Sequence, residues 1–296
     1  MADIRKVGVA GCGLMGRGIA QVCAAAGYET VVREIAREPL DRGMTAIEKS
    51  LAKAVEREKM TGEARDATLD NLRGTTELGE LLDADIVIEA IVEDIDAKND
   101  LFGKLDEGCP DHTIFASNTS SLTVTEMAAA TDRPDRFVGL HFFNPVPVMK
   151  LVEVVRTGAT SDETFDRAFA FASSLGKEPV ACRDNSGFIV NRLLVPYMLD
   201  AIRAFEEGIG SIEDIDKAMT LGTGHPMGPF TLGDFVGLDT LFYITEIMYE
   251  EYREKRFAAP PLLRRMHAAG YHGRKTGRGF YDYSGDEPVV SDFVER

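Results

Sequence analysis

A short apolar run, Lys6-Val-Gly-Val-Ala10, leads into Gly11-Cys-Gly-Leu-Met-Gly16 and then into an alanine-rich segment that closes at Gly27. A second apolar run, Glu29-Thr-Val-Val-Arg33, ends against Glu34. Strand, GxGxxG loop, helix, strand and terminal acid within about 30 residues admit very few folds. The pattern predicts a helix from Leu14 to about Ala26 inside an α/β unit with a parallel sheet. Gly11 allows the tight turn, Gly13 lets backbone approach a ligand, and Gly16 lets the helix sit close to its strand. The helix start offers free N–H groups and a positive dipole end, which suit a pyrophosphate. Gly11, Gly13, Leu14, Met15 and Gly16 therefore read as the cradle of a dinucleotide. Glu34 is placed to accept hydrogen bonds from an adenosine ribose, and its charge disfavours a 2′-phosphate. NAD is expected rather than NADP, with Arg33 and Arg37 weakening that preference.

Glu38 to about Asn71 reads as a long, charged helical insertion, broken near Thr61-Gly62. It is longer than an ordinary crossover. Lys49, Lys53 and Arg57 recur every four residues on one of its faces, while Glu48, Glu56 and Glu58 turn elsewhere. Such a stripe is most often solvated surface, but it is also where a small anionic ligand could gather. Asp85–Val92 is the next buried strand, followed by Glu93 and a helix over Ile95–Leu105 that carries Lys98. Thr113–Ser117 is another strand and opens into Asn118-Thr-Ser-Ser121. The carboxyl ends of such strands line the cofactor crevice of a doubly wound sheet. Small hydroxyl and amide groups there could hold a nicotinamide or a substrate oxygen. Equally, Ser120 or Ser121 could only cap the helix that begins near Val124.

Two further runs, Phe137–Phe143 and Leu151–Val155, read as strands joined through a proline-containing connection. His141 sits near the end of the first and Glu153 in the middle of the second. A carboxylate inside a buried strand must be paired, because desolvating it alone costs on the order of several kcal/mol. If the two runs are neighbours, Glu153 reaches one imidazole nitrogen and leaves the other to take a proton. That is a general-base pair in outline. A core histidine and an unrelated buried glutamate would be the bland alternative.

After a helix over Asp162–Leu175 and a short strand, Pro179–Cys182, the alternation of strands and helices ends. Asp184-Asn-Ser-Gly187 reads as a linker, so the boundary is drawn near Arg183. The expectation is a Rossmann-type dinucleotide-binding domain over residues 1–183, with the helical insertion about 38–71, followed by an all-α domain over 184–296. A helix over Phe188–Glu206 is apolar on nearly all faces and must be buried on all sides. An oligomer interface is its natural cover. Asn191, a polar residue near the start of that helix, reads alone as a satisfied core amide more readily than as a ligand. Near the end, Gly273-Arg-Lys-Thr-Gly-Arg-Gly-Phe-Tyr281 reads as a glycine-rich turn whose Lys275 could reach a phosphate.

A net charge of −16 over 296 residues argues against nucleic acid as a partner. The chain has no apolar run of membrane-spanning length and no apolar leader, so no membrane is expected. Four cysteines, Cys12, Cys23, Cys109 and Cys182, lack metal or disulfide spacing. No metal is assigned, and the cytoplasm is the expected compartment.

Taken together, Gly11–Gly16, Ser117–Ser121, His141-Phe-Phe-Asn-Pro-Val-Pro147, Leu151-Val-Glu153, Gly187-Phe-Ile-Val-Asn-Arg192 and Gly273–Tyr281 resemble the L-3-hydroxyacyl-CoA dehydrogenases, 3-hydroxybutyryl-CoA dehydrogenases included. The likeness runs from about Lys6 to Tyr283. It implies NAD-dependent oxidation of a short-chain 3-hydroxyacyl-CoA thioester, and the reverse, by a homodimer joined through the second domain. His141 is implied as the general acid/base and Glu153 as the partner that orients it. Ser120 and Asn191 match the family's substrate-oxygen contacts, Asn191 coming from the second domain on closure. Glu34, Glu93, Lys98, Ser120, Asn144 and Lys275 match its NAD contacts. Ser50 matches a contact to coenzyme A, whose phosphates Lys53 and Arg57 would suit. Glu34 stands where the family usually has aspartate. The rival readings are a dehydrogenase of a free 3-hydroxy acid or sugar acid, which would not need the long basic insertion, and an inactive dinucleotide-binding scaffold.

Overall fold

The structure is a computed structural model that describes residues 4–295. Alternation along the strands decides the first unit. Val7, Val9, Ile86, Ile88, Ile114, Ala116, Val138 and Leu140 enter one core, while Ala10, Val87, Phe115, Phe137 and Val155 enter another on the opposite face. A sheet apolar on both faces must be covered on both, which is the α/β layer arrangement. Its strands are β1 (Lys6–Ala10), β2 (Glu29–Arg33), β3 (Leu72–Thr75), β4 (Ile86–Glu89), β5 (Ile114–Ser117), β6 (Phe137–Phe142), β7 (Leu151–Arg156) and β8 (Glu178–Arg183). They form one sheet in the order β3-β2-β1-β4-β5-β6-β7-β8. All neighbours are parallel except β6 and β7.

The helices of this unit are α1 (Leu14–Ala25), α2 (Arg37–Glu56), α3 (Gly62–Asp70), α4 (Ile95–Gly108), α5 (Val124–Ala129) and α6 (Asp162–Ser174). Phe102 of α4 packs on Phe137 and Phe115 with ring centroids 4.5 and 5.8 Å away. Burying each such ring stabilises by about 2–3 kcal/mol. The stretch read as a helical insertion over about 38–71 is helical. It is α2 and α3, and it is the crossover from β2 to a strand the sequence reading did not anticipate, β3. Leu40, Gly43, Ile47 and Leu51 form the buried stripe of α2. Gly43 lies so close to the first glycine loop that a Cβ there would stand 2.3 Å from Cys12 Sγ. Thr61 caps α3 by accepting from Ala64 N at 3.1 Å, which accounts for the break near Thr61-Gly62.

The chain divides into two compact units, Met1–Phe188 and Ile189–Arg296, beyond the boundary read at Arg183. The difference arises because the linker's side chains bond into the first unit, as described below. The second unit holds α7 (Val190–Glu206), α8 (Ile212–Thr223), α9 (Pro229–Val236), α10 (Leu238–Tyr252), α11 (Pro261–Ala268), β9 (Tyr281–Asp282), β10 (Val289–Val290) and α12 (Asp292–Glu295). The all-α expectation is thus modified by one small antiparallel ribbon. Helix α7 is also less enclosed than its composition suggests: Val195, Met198, Leu199 and Ile202 are buried, but Leu193 is 66% exposed. No helix among the described residues is long and apolar enough to cross a membrane.

Two buried acids tie the second unit together. Asp216 of α8 accepts from Phe230 N at 2.7 Å and Thr231 N at 3.0 Å, and so caps α9. Asp234 of α9 accepts from Phe280 N, Tyr281 N and the Tyr283 hydroxyl, each at 2.9 Å. A Cβ at Gly279 would stand 2.0 Å from Asp234 Oδ1. The glycine-rich turn over 273–281 is therefore a clasp around Asp234.

Candidate active site

The carboxyl ends of β1, β4, β5 and β6 stand side by side. Ala10 is in register with Glu89, Glu89 with Ser117, and Ser117 with Gly139. Ligands of such sheets bind in the crevice beyond these ends. Gly11 has φ +106°, and a Cβ there would stand 2.4 Å from Ala90 O. At Gly16 it would stand 1.9 Å from Gly11 O, so both positions exclude any other residue. Gly13 differs: a Cβ there would meet nothing within 4 Å. Gly13 starts α1 without a side-chain cap, and the first turn, Leu14-Met15-Gly16, contains no acid. Open space above uncapped N–H groups fits the pyrophosphate of a dinucleotide. Glu34, just past β2, accepts from Cys12 N at 3.0 Å and from Ile35 N at 2.7 Å.

Beside the loop lies a chain of charges. Lys98 is 1% exposed, and its Nζ lies 2.6 Å from Glu89 Oε1 and 3.0 Å from Glu93 Oε2. Glu89 also accepts from Ser117 Oγ at 2.6 Å and Ile91 N at 2.7 Å. Glu93 in turn accepts from the Thr119 hydroxyl, Ser120 N at 3.2 Å and Ser121 Oγ at 3.3 Å. Burial alone would push the Glu93 carboxyl up, but Lys98 and these hydrogen bonds outweigh it and hold the group below the usual carboxylate range. Glu93, Lys98 and Ser120 are thus brought into one network. Glu89 is the member that sequence reasoning passed over, although an acid within an apolar run was the same signal that singled out Glu153. The capping alternative for Ser120 and Ser121 does not hold. The α5 N-terminus is capped by Asp184, which accepts from Val124 N at 3.0 Å and Thr125 N at 2.6 Å.

At the end of β6, His141 faces Glu153 of β7 directly across the antiparallel ladder. His141 Nδ1 and Glu153 Oε2 are 2.7 Å apart, and the two residues are 6% and 1% exposed. A carboxylate can only accept, so Nδ1 carries the proton, and in the neutral imidazole Nε2 is then the nitrogen with the free lone pair. Asn118, beyond β5, accepts from Phe142 N at 2.9 Å and so braces the same strand end.

The sequence profile of the NAD binding domain of 3-hydroxyacyl-CoA dehydrogenase matches residues 6–185, and that of its C-terminal domain matches residues 187–283. The chain belongs to the 3-hydroxyacyl-CoA dehydrogenase family. It is an oxidoreductase with an NAD-binding domain. A 3-hydroxybutyryl-CoA dehydrogenase of Mycobacterium tuberculosis is 51% identical over 96% of this chain and 100% of its own length. The human mitochondrial hydroxyacyl-coenzyme A dehydrogenase is 49% identical over 95% of this chain and 91% of that protein. The crystal structure of (S)-3-hydroxybutyryl-CoA dehydrogenase from Ralstonia eutropha superposes with a TM-score of 0.92 at 43% identity, covering 96% of this chain and all of that one.

The remaining residues that the family resemblance singled out are placed as follows. Asn144 is exposed just past His141 on β6's outgoing loop. Ser50 is half-buried on α2, Lys53 is exposed on the same helix, and Arg57 is exposed at its C-cap. Among the described residues no carboxylate pairs with Lys49, Lys53 or Arg57. Lys275 and Asn191 belong to the second unit. There Lys275 is paired with Asp239, and Asn191 lies in the first turn of α7.

Proposed function

We propose that this chain is a cytoplasmic, NAD-dependent dehydrogenase of short-chain L-3-hydroxyacyl-CoA thioesters, 3-hydroxybutyryl-CoA among them, working with His141 as its general acid/base. The observation that carries the reading is the His141–Glu153 pair at the strand edge that also presents the open glycine loop. In the oxidation, His141 Nε2 takes the C3 hydroxyl proton. Glu153 holds Nδ1–H, which fixes the tautomer and steadies the imidazolium as it forms. When bound, NAD supplies the acceptor for the C3 hydride. The fit for that group rests on Gly11, Gly13, Leu14, Met15 and Gly16, with Glu34, Glu93, Asn144 and Lys275 as further contacts and Lys98 acting through Glu93.

Ser120 and Asn191 are the proposed contacts to the substrate oxygens. Ser50, Lys53 and Arg57 are the proposed site for coenzyme A, a charged handle that unpaired cations on an acidic protein would attract. Glu34 favours NAD over NADP by its charge. Free thiols at Cys12, Cys23, Cys109 and Cys182 support a reducing compartment. Leu193, Ile209 and Leu221 on the second unit, 66%, 72% and 76% exposed, support a homodimer through it.

The test is oxidation of NADH with acetoacetyl-CoA, run beside free acetoacetate, NADPH and a longer 3-ketoacyl-CoA. Fast oxidation with the thioester and little with the free acid is expected. Turnover of the free acid at an equal rate would give the reading to a free hydroxy-acid dehydrogenase. NADH binding with no oxidation of any substrate would leave a scaffold.

A further inference from the structure

The linker read as Asp184-Asn-Ser-Gly187 is bonded into the catalytic edge at alternate residues. Asp184 caps α5, and Ser186 Oγ donates to Ser121 O at 2.8 Å. Two residues further on, Phe188 lies 5% exposed in the core with Phe115, Phe137 and Val155. Its ring centroid is 5.6 Å from that of His141. The backbone that delivers it is unusual. Gly187 has φ +80°, and Phe188 itself has φ +46°, a left-handed conformation that a bulky side chain occupies only when its surroundings hold it there. A strained residue in contact with a proposed proton acceptor calls for a reason.

The imidazole supplies one. Glu153 fixes a single ring atom, Nδ1, and one hydrogen bond does not set the plane of a ring. The remaining freedom is removed by flanking rings, Phe143 at 4.4 Å and Phe188 at 5.6 Å, tilted 47° and 55° to the imidazole. Phe143 lies two residues from His141 in the chain and moves with it. Phe188 arrives from a separate segment and is an independent stop.

We propose that Phe188 is a positioning residue for His141: the left-handed turn at the linker seats its ring against the imidazole and holds Nε2 on the substrate. The inference rests on the reading of His141 as the proton acceptor. A double-mutant cycle tests it, using Phe188→Leu, His141→Gln and the pair, with kcat and KM for NADH measured against acetoacetyl-CoA. Phe188→Leu should lower kcat by about tenfold with KM for NADH changed by less than about threefold. In the His141→Gln background the same substitution should change kcat by less than about twofold, since there is no longer a base to aim. Phe188→Tyr, which keeps the ring, should restore kcat to within about threefold of the parent. A residue that serves only the core would lower kcat by the same factor in both backgrounds. Additive losses, or an unchanged kcat in Phe188→Leu, overturn this inference alone. Full turnover in His141→Gln overturns the reading beneath it as well. Phe188→Met gives the same comparison if the leucine variant does not fold.

Discussion

Each unit buries an acid almost completely, and the partners decide what that acid does. Glu153, 1% exposed, faces an imidazole, a side chain with a second nitrogen that can accept a proton. Asp234, 0% exposed, faces two backbone N–H groups and a phenol, whose protons stay in place. Burial pushes the Tyr283 phenol further up, so it donates at any ordinary pH. The first arrangement leaves a free nitrogen available for chemistry. The second consumes every donor in fastening the turn over 273–281 to α9. A buried carboxylate is therefore not by itself a functional signal; its partner is.

The contrast can be broken most directly at the histidine. His141→Gln should lower kcat by roughly 10²–10⁴-fold with NADH binding almost intact; near-wild-type turnover would put the pair in the same class as Asp234. Glu153→Gln should lower kcat by about 10–100-fold in a folded protein, because the amide still fills the site but no longer stabilises the imidazolium. Unchanged kinetics with a lower melting temperature would make Glu153 structural.

Asp234→Ala belongs on the other side of the comparison. It strands three donors and should cost about 3–5 kcal/mol of unfolding free energy in urea melts; a loss under about 1 kcal/mol would contradict the clasp.

The smallest effect is in pH. Burial, with the nearby Asp216 charge, pushes the Asp234 carboxyl up to about 6. An unfolded aspartate titrates near 4, so the folded state binds this proton more tightly. The group's contribution to stability is therefore present at low pH and is lost as pH rises from about 4 to about 6. Moving from pH 7 to pH 5 should stabilise the parent by about 1 kcal/mol relative to Asp234→Ala. An equal gap between the two proteins at both pH values would show that Asp234 does not titrate there.

The glycine loop, the buried strands and the His141–Glu153 pair were legible because each is a local pattern. A loop motif needs only its flanking strands, and a charge inside an apolar run marks itself. Antiparallel pairing across a short connection then brings His141 and Glu153 to the same register. Strand β3 escaped because Leu72-Arg-Gly-Thr75 is four residues long at the sheet edge, with little apolar content to announce it. Asp184 escaped because its partners on α5 lie about 60 residues earlier, and no spacing rule reaches that far. Phe188 escaped for a different reason. Gly187 advertises a turn, but nothing in a phenylalanine foretells a left-handed backbone.

Glu34 joins two traits that a redesign would treat as separate. Its carboxylate, the proposed discriminator between the two dinucleotides, also receives the N–H of Cys12, the residue inside the glycine turn against which Gly43 of α2 is packed. Replacing the acid to admit a phosphorylated ribose would remove an acceptor from the turn proposed to hold the pyrophosphate. Selectivity at one end of the cofactor and the shape of the cradle at its middle are thus inherited together, and a change of cofactor preference would need a second substitution to re-anchor the turn.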